Sequence, residues 1–181
     1  MSPRIALPAF LAASALIVLS ACSTGRVNYV YIDSSYSPTE YSQLPFTGPL
    51  TAEVSGNPFN IPQEQLTQIV NQSIQPSATA KDTNARWGAR VHIAFGVPAT
   101  DVNSACQETG YPGQANATIT MSAALCRGKT STLSYLTASI GDVTGPDDPR
   151  FKAWLRQSIV QLFPASTDET PDHNNCAFPA C

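Results

Sequence analysis

Apolar and polar residues alternate with a period of two in four stretches, the pattern of strands with one face buried. Leu50, Ala52 and Val54 alternate with Thr51, Glu53 and Ser55, and Ala89 to Val97 alternates in the same way around Arg90, His92, Ala94 and Gly96. Ala115, Ala117, Ile119, Met121, Ala123 and Leu125 alternate with Asn116, Thr118, Thr120 and Ser122. Leu133 to Ile140 forms the fourth stretch, where the pattern slips by one residue at Tyr135-Leu136 and predicts a bulge. Two stretches have helical spacing instead. Leu66, Ile69, Val70, Ser73 and Ile74 share one face of a helix that begins near Pro62 and ends at Pro76. Phe151, Trp154, Leu155, Ser158, Ile159 and Leu162 share a face of a second, with Asp148 as N-cap, Pro149 in the first turn and Pro164 as its stop. The order β-α-β-β-β-α predicts an α+β domain over residues 49–164. It is an antiparallel sheet of about four strands with two helices on its apolar face and the polar face partly exposed.

Ahead of this domain lie one positive charge, Arg4, and an uncharged apolar run from Ile5 to Leu19, closed by Leu19-Ser20-Ala21-Cys22. The length suits a secretion signal, residues 1–21. A membrane-spanning helix is the competing reading of the run, but Pro8 and the small, polar end Ser20 to Gly25 argue against it. A plain cleavable signal is the other alternative. The junction resembles a bacterial lipobox. That resemblance implies a diacylglycerol on the Cys22 thiol, cleavage before it and acylation of the new amine. Two or three acyl chains hold a protein on a bilayer where one does not. By analogy with Gram-negative lipoproteins, Ser23 implies sorting to the outer membrane, facing the periplasm.

Residues 22–48 then read as a lipidated N-terminus and a tether able to dock. Val27 to Ile32 has strand propensity, and Ser34, Ser35, Ser37, Pro38, Pro45, Gly48 and Pro49 break the chain after it. Tyr29, Tyr31, Tyr36 and Tyr41 cover an edge of their own domain or stack on a partner or glycan. Residues 165–181 read as an irregular tail.

Composition narrows the partners. Hydrophobic residues make up 43% of the chain, enough for a core, while charged residues are only 13% and net charge is −3. No basic stripe exists, which argues against nucleic acid. Five cysteines become four if Cys22 is acylated, and four in an oxidising compartment allow three disulfide pairings. Cys106–Cys126 with Cys176–Cys181 is the preferred set. A metal site built from Asp172, His173 and the tail cysteines competes with the second bond.

Motifs with chemistry are few. Ala123 to Thr130 fits a relaxed phosphate loop, but the β-prone residues after it offer no helix N-terminus for an anion, so no nucleotide is expected. His92 and His173 are the only histidines, and no catalytic constellation accompanies His92 in sequence. Asp142, Asp147 and Asp148 depart from calcium-loop spacing and are explained by turns and capping. Asn71-Gln-Ser73 and Asn116-Ala-Thr118 match a glycosylation sequon that carries little meaning in a bacterium.

Arg90-Val-His-Ile-Ala-Phe95, Leu125-Cys-Arg-Gly128 and Gly145-Pro-Asp-Asp-Pro-Arg-Phe151, with Gly56-Asn-Pro-Phe59 before them, resemble a family of uncharacterised lipoproteins of proteobacteria, chiefly alphaproteobacteria. The resemblance spans the lipobox to about Pro164. It implies a recurring cysteine ahead of the Cys-Arg-Gly strand, hence a Cys106–Cys126 bond, and it implies no activity. The tail cysteines lie outside it.

Function is accordingly expected to be that of a lipid-anchored envelope protein without enzymatic activity, cofactor or metal. The expected partners are the membrane, through the acyl chains on Cys22, and another envelope protein. A binder of a small lipid or glycan is the alternative, and a periplasmic hydrolase using His92 the third reading.

Overall fold

The computed structural model describes residues 25–47, 50–74, 89–96, 102–107, 110 and 118–167. They form an α+β domain around a five-stranded sheet. In chain order these are β1 (Arg26–Ile32), the short helices α1 (Pro38–Tyr41) and α2 (Leu44–Thr47), and β2 (Ala52–Ser55). Helix α3 (Gln63–Ile74), β3 (Ala89–Phe95), a single 3₁₀ turn (Val102–Ser104), β4 (Thr118–Arg127), β5 (Ser131–Gly141) and α4 (Pro149–Val160) follow.

The strands lie in the order β1-β5-β4-β3-β2. Three of the four pairings are antiparallel, but β2 and β3 run parallel, with Ala52 opposite Val91 and Val54 opposite Ile93. The sheet is therefore mixed, with one strand more than expected. The parallel pair follows from α3, because a helix between two strands returns the chain to the end from which the first strand started. Alternation alone does not distinguish the two directions.

One face carries the core. Val91, Ile93 and Phe95 of β3, Met121, Ala123 and Leu125 of β4, and Leu136, Ala138 and Ile140 of β5 pack beneath Leu66, Val70 and Ile74 of α3 and Phe151, Trp154, Leu155 and Ile159 of α4. The helical spacing read from sequence thus marks the buried faces of both helices. Asp148 caps α4 by accepting from the Arg150 amide. The bulge falls at Leu133, since β5 pairs Ser134 with Leu125 and then Thr132 with Cys126. That is two residues before the expected slip. The extra residue lets both Leu133 and Ser134 be buried; the Ser134 hydroxyl donates to the Leu162 carbonyl at 2.6 Å.

Residues 25–47, within the stretch read as a tether able to dock, are built into the domain. β1 pairs along β5 from Arg26–Ser139 to Ile32–Ser134, with a bulge between Val27 and Tyr29. Tyr36, Tyr41 and Leu44 enter the core. Burial pushes the Tyr36 hydroxyl's pKa up, and the hydroxyl donates to the Pro164 carbonyl at 3.0 Å, tying the start of the domain to its end. Gly25 itself is buried, and a Cβ there would stand 2.4 Å from Cδ1 of Trp154. Among the described residues the folded unit reaches back to Gly25, ahead of the boundary near residue 49 that alternation suggests.

Candidate interaction surface

The polar side of the sheet is less exposed than its composition predicts. His92, Ala94, Ser122, Ala124, Cys126, Tyr135, Thr137 and Ser139 are all buried. Part of the cover is the segment Val102–Gln107. The Cys106–Cys126 disulfide, spanning a sequence separation of 20, pins it to β4. Ala105 and Cys106 pack there against Ala124, Cys126 and Tyr135, with Tyr31 and Val102 at the margin.

Two side chains of β3 hold this cover from below. Nδ1 of His92 lies 2.8 Å from the Ala105 carbonyl. Arg90 donates to the carbonyls of Cys106 at 2.9 Å and Gly128 at 3.0 Å, and pairs with Glu53 on β2. The ion pair is half in water and contributes little by itself. The guanidinium matters through its fork of donors, which binds three parts of the chain at once. His92, the candidate base of a hydrolase, is thus placed under a loop that its ring helps to fix.

The relaxed phosphate-loop match lies on β4 and the Gly128 turn, and strand β5 follows it. Gly128 adopts φ of +63°, as the tight connection requires. Among the described residues no group of three or more His, Cys, Asp and Glu is placed to hold a metal ion. Cys22, Cys176, Cys181, Asp172 and His173 lie outside the described residues.

The two edges of the sheet differ. β2 has α3 beside it, and the Asn71 side chain acts as a substitute strand. Its Oδ1 accepts from the Ala52 amide at 2.7 Å, while its Nδ2 donates to the Ala52 carbonyl at 3.1 Å and to the Thr67 carbonyl at 3.0 Å. Gln63 donates to the Val54 carbonyl at 3.0 Å. In the sequence Asn71 reads only as part of a sequon, and nothing in its spacing marks a role beside the sheet. β1 forms the opposite edge, and Arg26, Asn28 and Tyr29 are exposed there. Tyr29, 40% exposed, stands out as a large apolar side chain at the surface, with its ring centroid 6.2 Å from that of Tyr135. Of the four tyrosines read as cover or as platforms, Tyr36 and Tyr41 are cover, their rings 5.6 Å apart, Tyr31 packs at the margin of the Cys106 cluster, and Tyr29 is the most exposed.

Beyond Ile32 the edge is set firmly. The Asp33 carboxylate accepts from the Ser35 amide at 2.8 Å and the Tyr31 hydroxyl at 3.1 Å, and the Ser35 bonds hold it below the usual carboxylate range. An exposed strand with fixed ends can add a partner strand at small entropic cost.

No protein-family model, curated protein or solved structure matches the chain. No helix among the described residues is long and apolar enough to cross a membrane.

Proposed function

We propose that this chain is a lipid-anchored envelope lipoprotein of the proteobacterial, chiefly alphaproteobacterial, kind, acylated at Cys22 after removal of residues 1–21. It sits on the periplasmic side of the outer membrane and works as a non-enzymatic accessory protein, binding another envelope protein through the β1 edge. The lipobox-like junction supports the address. The observation that carries the binding mode is the contrast between an edge closed by Asn71 and Gln63 and an edge whose residues Arg26, Asn28 and Tyr29 are exposed. Open edges are a hazard that proteins ordinarily cover, so one left exposed beside a covered one fits a surface kept for a partner. The partner would supply an extended segment, with main-chain bonds for affinity and contact with the Tyr29 ring for selectivity.

Chemical crosslinking of the acylated protein at its native level in intact envelopes tests this reading, with metabolic labelling by a fatty-acid analogue in parallel. The expected result is a labelled protein that yields one stoichiometric protein partner. Loss of label together with unchanged membrane association of a Cys22→Ala form would overturn the anchor. A labelled protein with no protein partner would overturn the accessory role.

A further inference from the structure

We propose that the end of the sheet where β1 begins is a lipid-contacting face, which seats the domain directly on the bilayer with the β4–β5 turn pointing away. The inference rests on the reading of Cys22 as the acylated residue.

Three peptide steps separate Cys22 from Gly25, and fully extended they span about 11 Å. Gly25 is already fixed, buried against Trp154 with no room for a Cβ. The headgroup layer on each side of a bilayer is about 5–8 Å thick. An acyl chain rooted at Cys22 therefore leaves Gly25 in that layer or just above it. There is no leash long enough to let the domain turn over.

Strand pairing decides which residues share that end. Arg26 lies opposite Ser139, Gly141 opposite Thr118 and Met121 opposite Phe95, while Ala94 lies beside Ser55. The turns at residues 56–62 and 142–148, which follow β2 and β5, are consequently at the Gly25 end. Pro58, Phe59, Ile61, Val143 and Pro146 are half-buried there, with Phe59, Ile61 and Val143 packed against the core and part of each left at the surface. Both turns are stiff. The Asn57 carboxamide accepts from the Phe59 amide at 3.2 Å, and the Phe59 ring meets Phe151 edge-on with centroids 4.9 Å apart. Asp148 accepts from both the amide and the hydroxyl of Thr144 at 3.1 Å.

Charge at this end is close to balanced, with the exposed carboxylates of Asp142 and Asp147 beside its basic side chains. Asp148 is paired with Arg150 at 2.7 Å and Asp147 with Lys152 at 2.8 Å, and Arg150 also bonds the Asp142 carbonyl. Arg26, exposed as the first residue of β1, is placed to meet lipid phosphates. The far end instead carries the exposed turn of Arg127, Gly128, Lys129 and Thr130. The β1 edge then stands beside the membrane, within reach of a partner anchored in the same leaflet.

The test uses the full-length acylated protein on vesicles of phosphatidylcholine and phosphatidylglycerol, with bromine on the upper acyl carbons as a tryptophan quencher. A Cβ at Gly145 meets no atom within 4 Å, so Gly145→Trp reports on the proposed face; Asp147→Trp, in the same turn, replaces it if the first variant does not fold. Lys129→Trp reports on the far end, and the unsubstituted protein supplies the background of Trp87 and Trp154. The added fluorescence at 145 is expected to be quenched several-fold more than that at 129. Equal and weak quenching at both sites, in protein that still floats with the vesicles, would overturn the seating and leave the anchor intact. Stronger quenching at 129 would overturn it by reversing the orientation. Protein that does not float would overturn the acylation reading, and the seating with it.

Discussion

At one edge of the sheet a helix side chain stands in for a missing strand, while at the other edge the strand itself is exposed. The β2 edge is closed because α3 crosses beside it on the way to β3, bringing Asn71 and Gln63 to the Ala52 and Val54 backbone. β1 comes from the beginning of the chain and closes its inner side on β5. The closed edge has the amide of Asn71 committed to three bonds. The open edge has a fixed turn at Asp33 and a buried start at Gly25. The contrast teaches that exposure of β1 is not looseness. The turn at Asp33 and the buried Gly25 flank it, while Asn28 and Tyr29 between them are exposed.

The largest effect is expected from the clamp between the two edges. Replacing Cys106 and Cys126 by Ser should lower stability by about 3 kcal/mol on the chain-entropy account, measured by urea unfolding under oxidising conditions. Partner capture at β1 should survive, because the bond joins Val102–Gln107 to β4 rather than to either edge strand. Loss of capture at concentrations where the variant is folded would show that the edges are not independent of the clamp.

Removing the substitute strand should come next. Asn71→Ala leaves both Ala52 backbone groups unbonded in a buried position, a cost of about 2 kcal/mol. It also gives the sheet a second open edge, so light scattering should show self-association that grows with concentration. Unchanged stability and a monomer at every concentration would contradict the role given to Asn71.

The Gly25 end should respond to pH. Arg150 holds the Asp148 carboxyl well below the usual carboxylate range, against the opposing effect of burial, and the Thr144 and Arg150 amides add to the lowering. A depressed folded pKa means stability that is fully present above about pH 4, where the unfolded carboxyl ionises. It is lost as the pH falls from there toward the folded value. Asp148→Asn keeps a capping oxygen but removes the charge. It should cost about 1 kcal/mol at neutral pH and flatten the acid limb of the stability profile. An acid limb identical to the parent's would assign that pH dependence to other groups.

The smallest effect on folding should accompany the largest on binding. Tyr29→Lys places a charge on the open edge, a device by which edge strands resist pairing. Stability should stay within about 0.5 kcal/mol of the parent, while the envelope partner is no longer captured. A variant that binds as before would remove Tyr29 from the interface.

Much of this fold was legible in the residues. Leu66 to Ile74 and Phe151 to Leu162 mark the buried helical faces, and Asp148-Pro149 marks the start of α4, since these signals are local. The Cys106–Cys126 bond was among three pairings that spacing allowed. What was hidden depends on partners distant in sequence. β1 does not alternate cleanly, because its bulge at Asn28 shifts Val27 against Val30 and Ile32, so it reads as a tether. The parallel sense of β2 and β3 follows from the path of α3, which hydrophobic alternation cannot report. Cover on the polar face comes from Val102–Gln107, a stretch whose few apolar residues gain their role only once Cys106 is joined to β4. Asn71 shows the same limit, since an asparagine that completes a sheet edge looks like any polar helix residue until the edge is beside it.

Position-resolved photocrosslinking in intact envelopes tests the central claim most directly. A photoreactive benzoylphenylalanine at Tyr29 probes the β1 edge, and the same residue at Gln68, exposed on α3, the helix that closes the other edge, is the comparison. The account predicts a single protein adduct from position 29 that is weak or missing from position 68. An adduct from 68 and none from 29, in protein shown to be folded and membrane-bound, would contradict it.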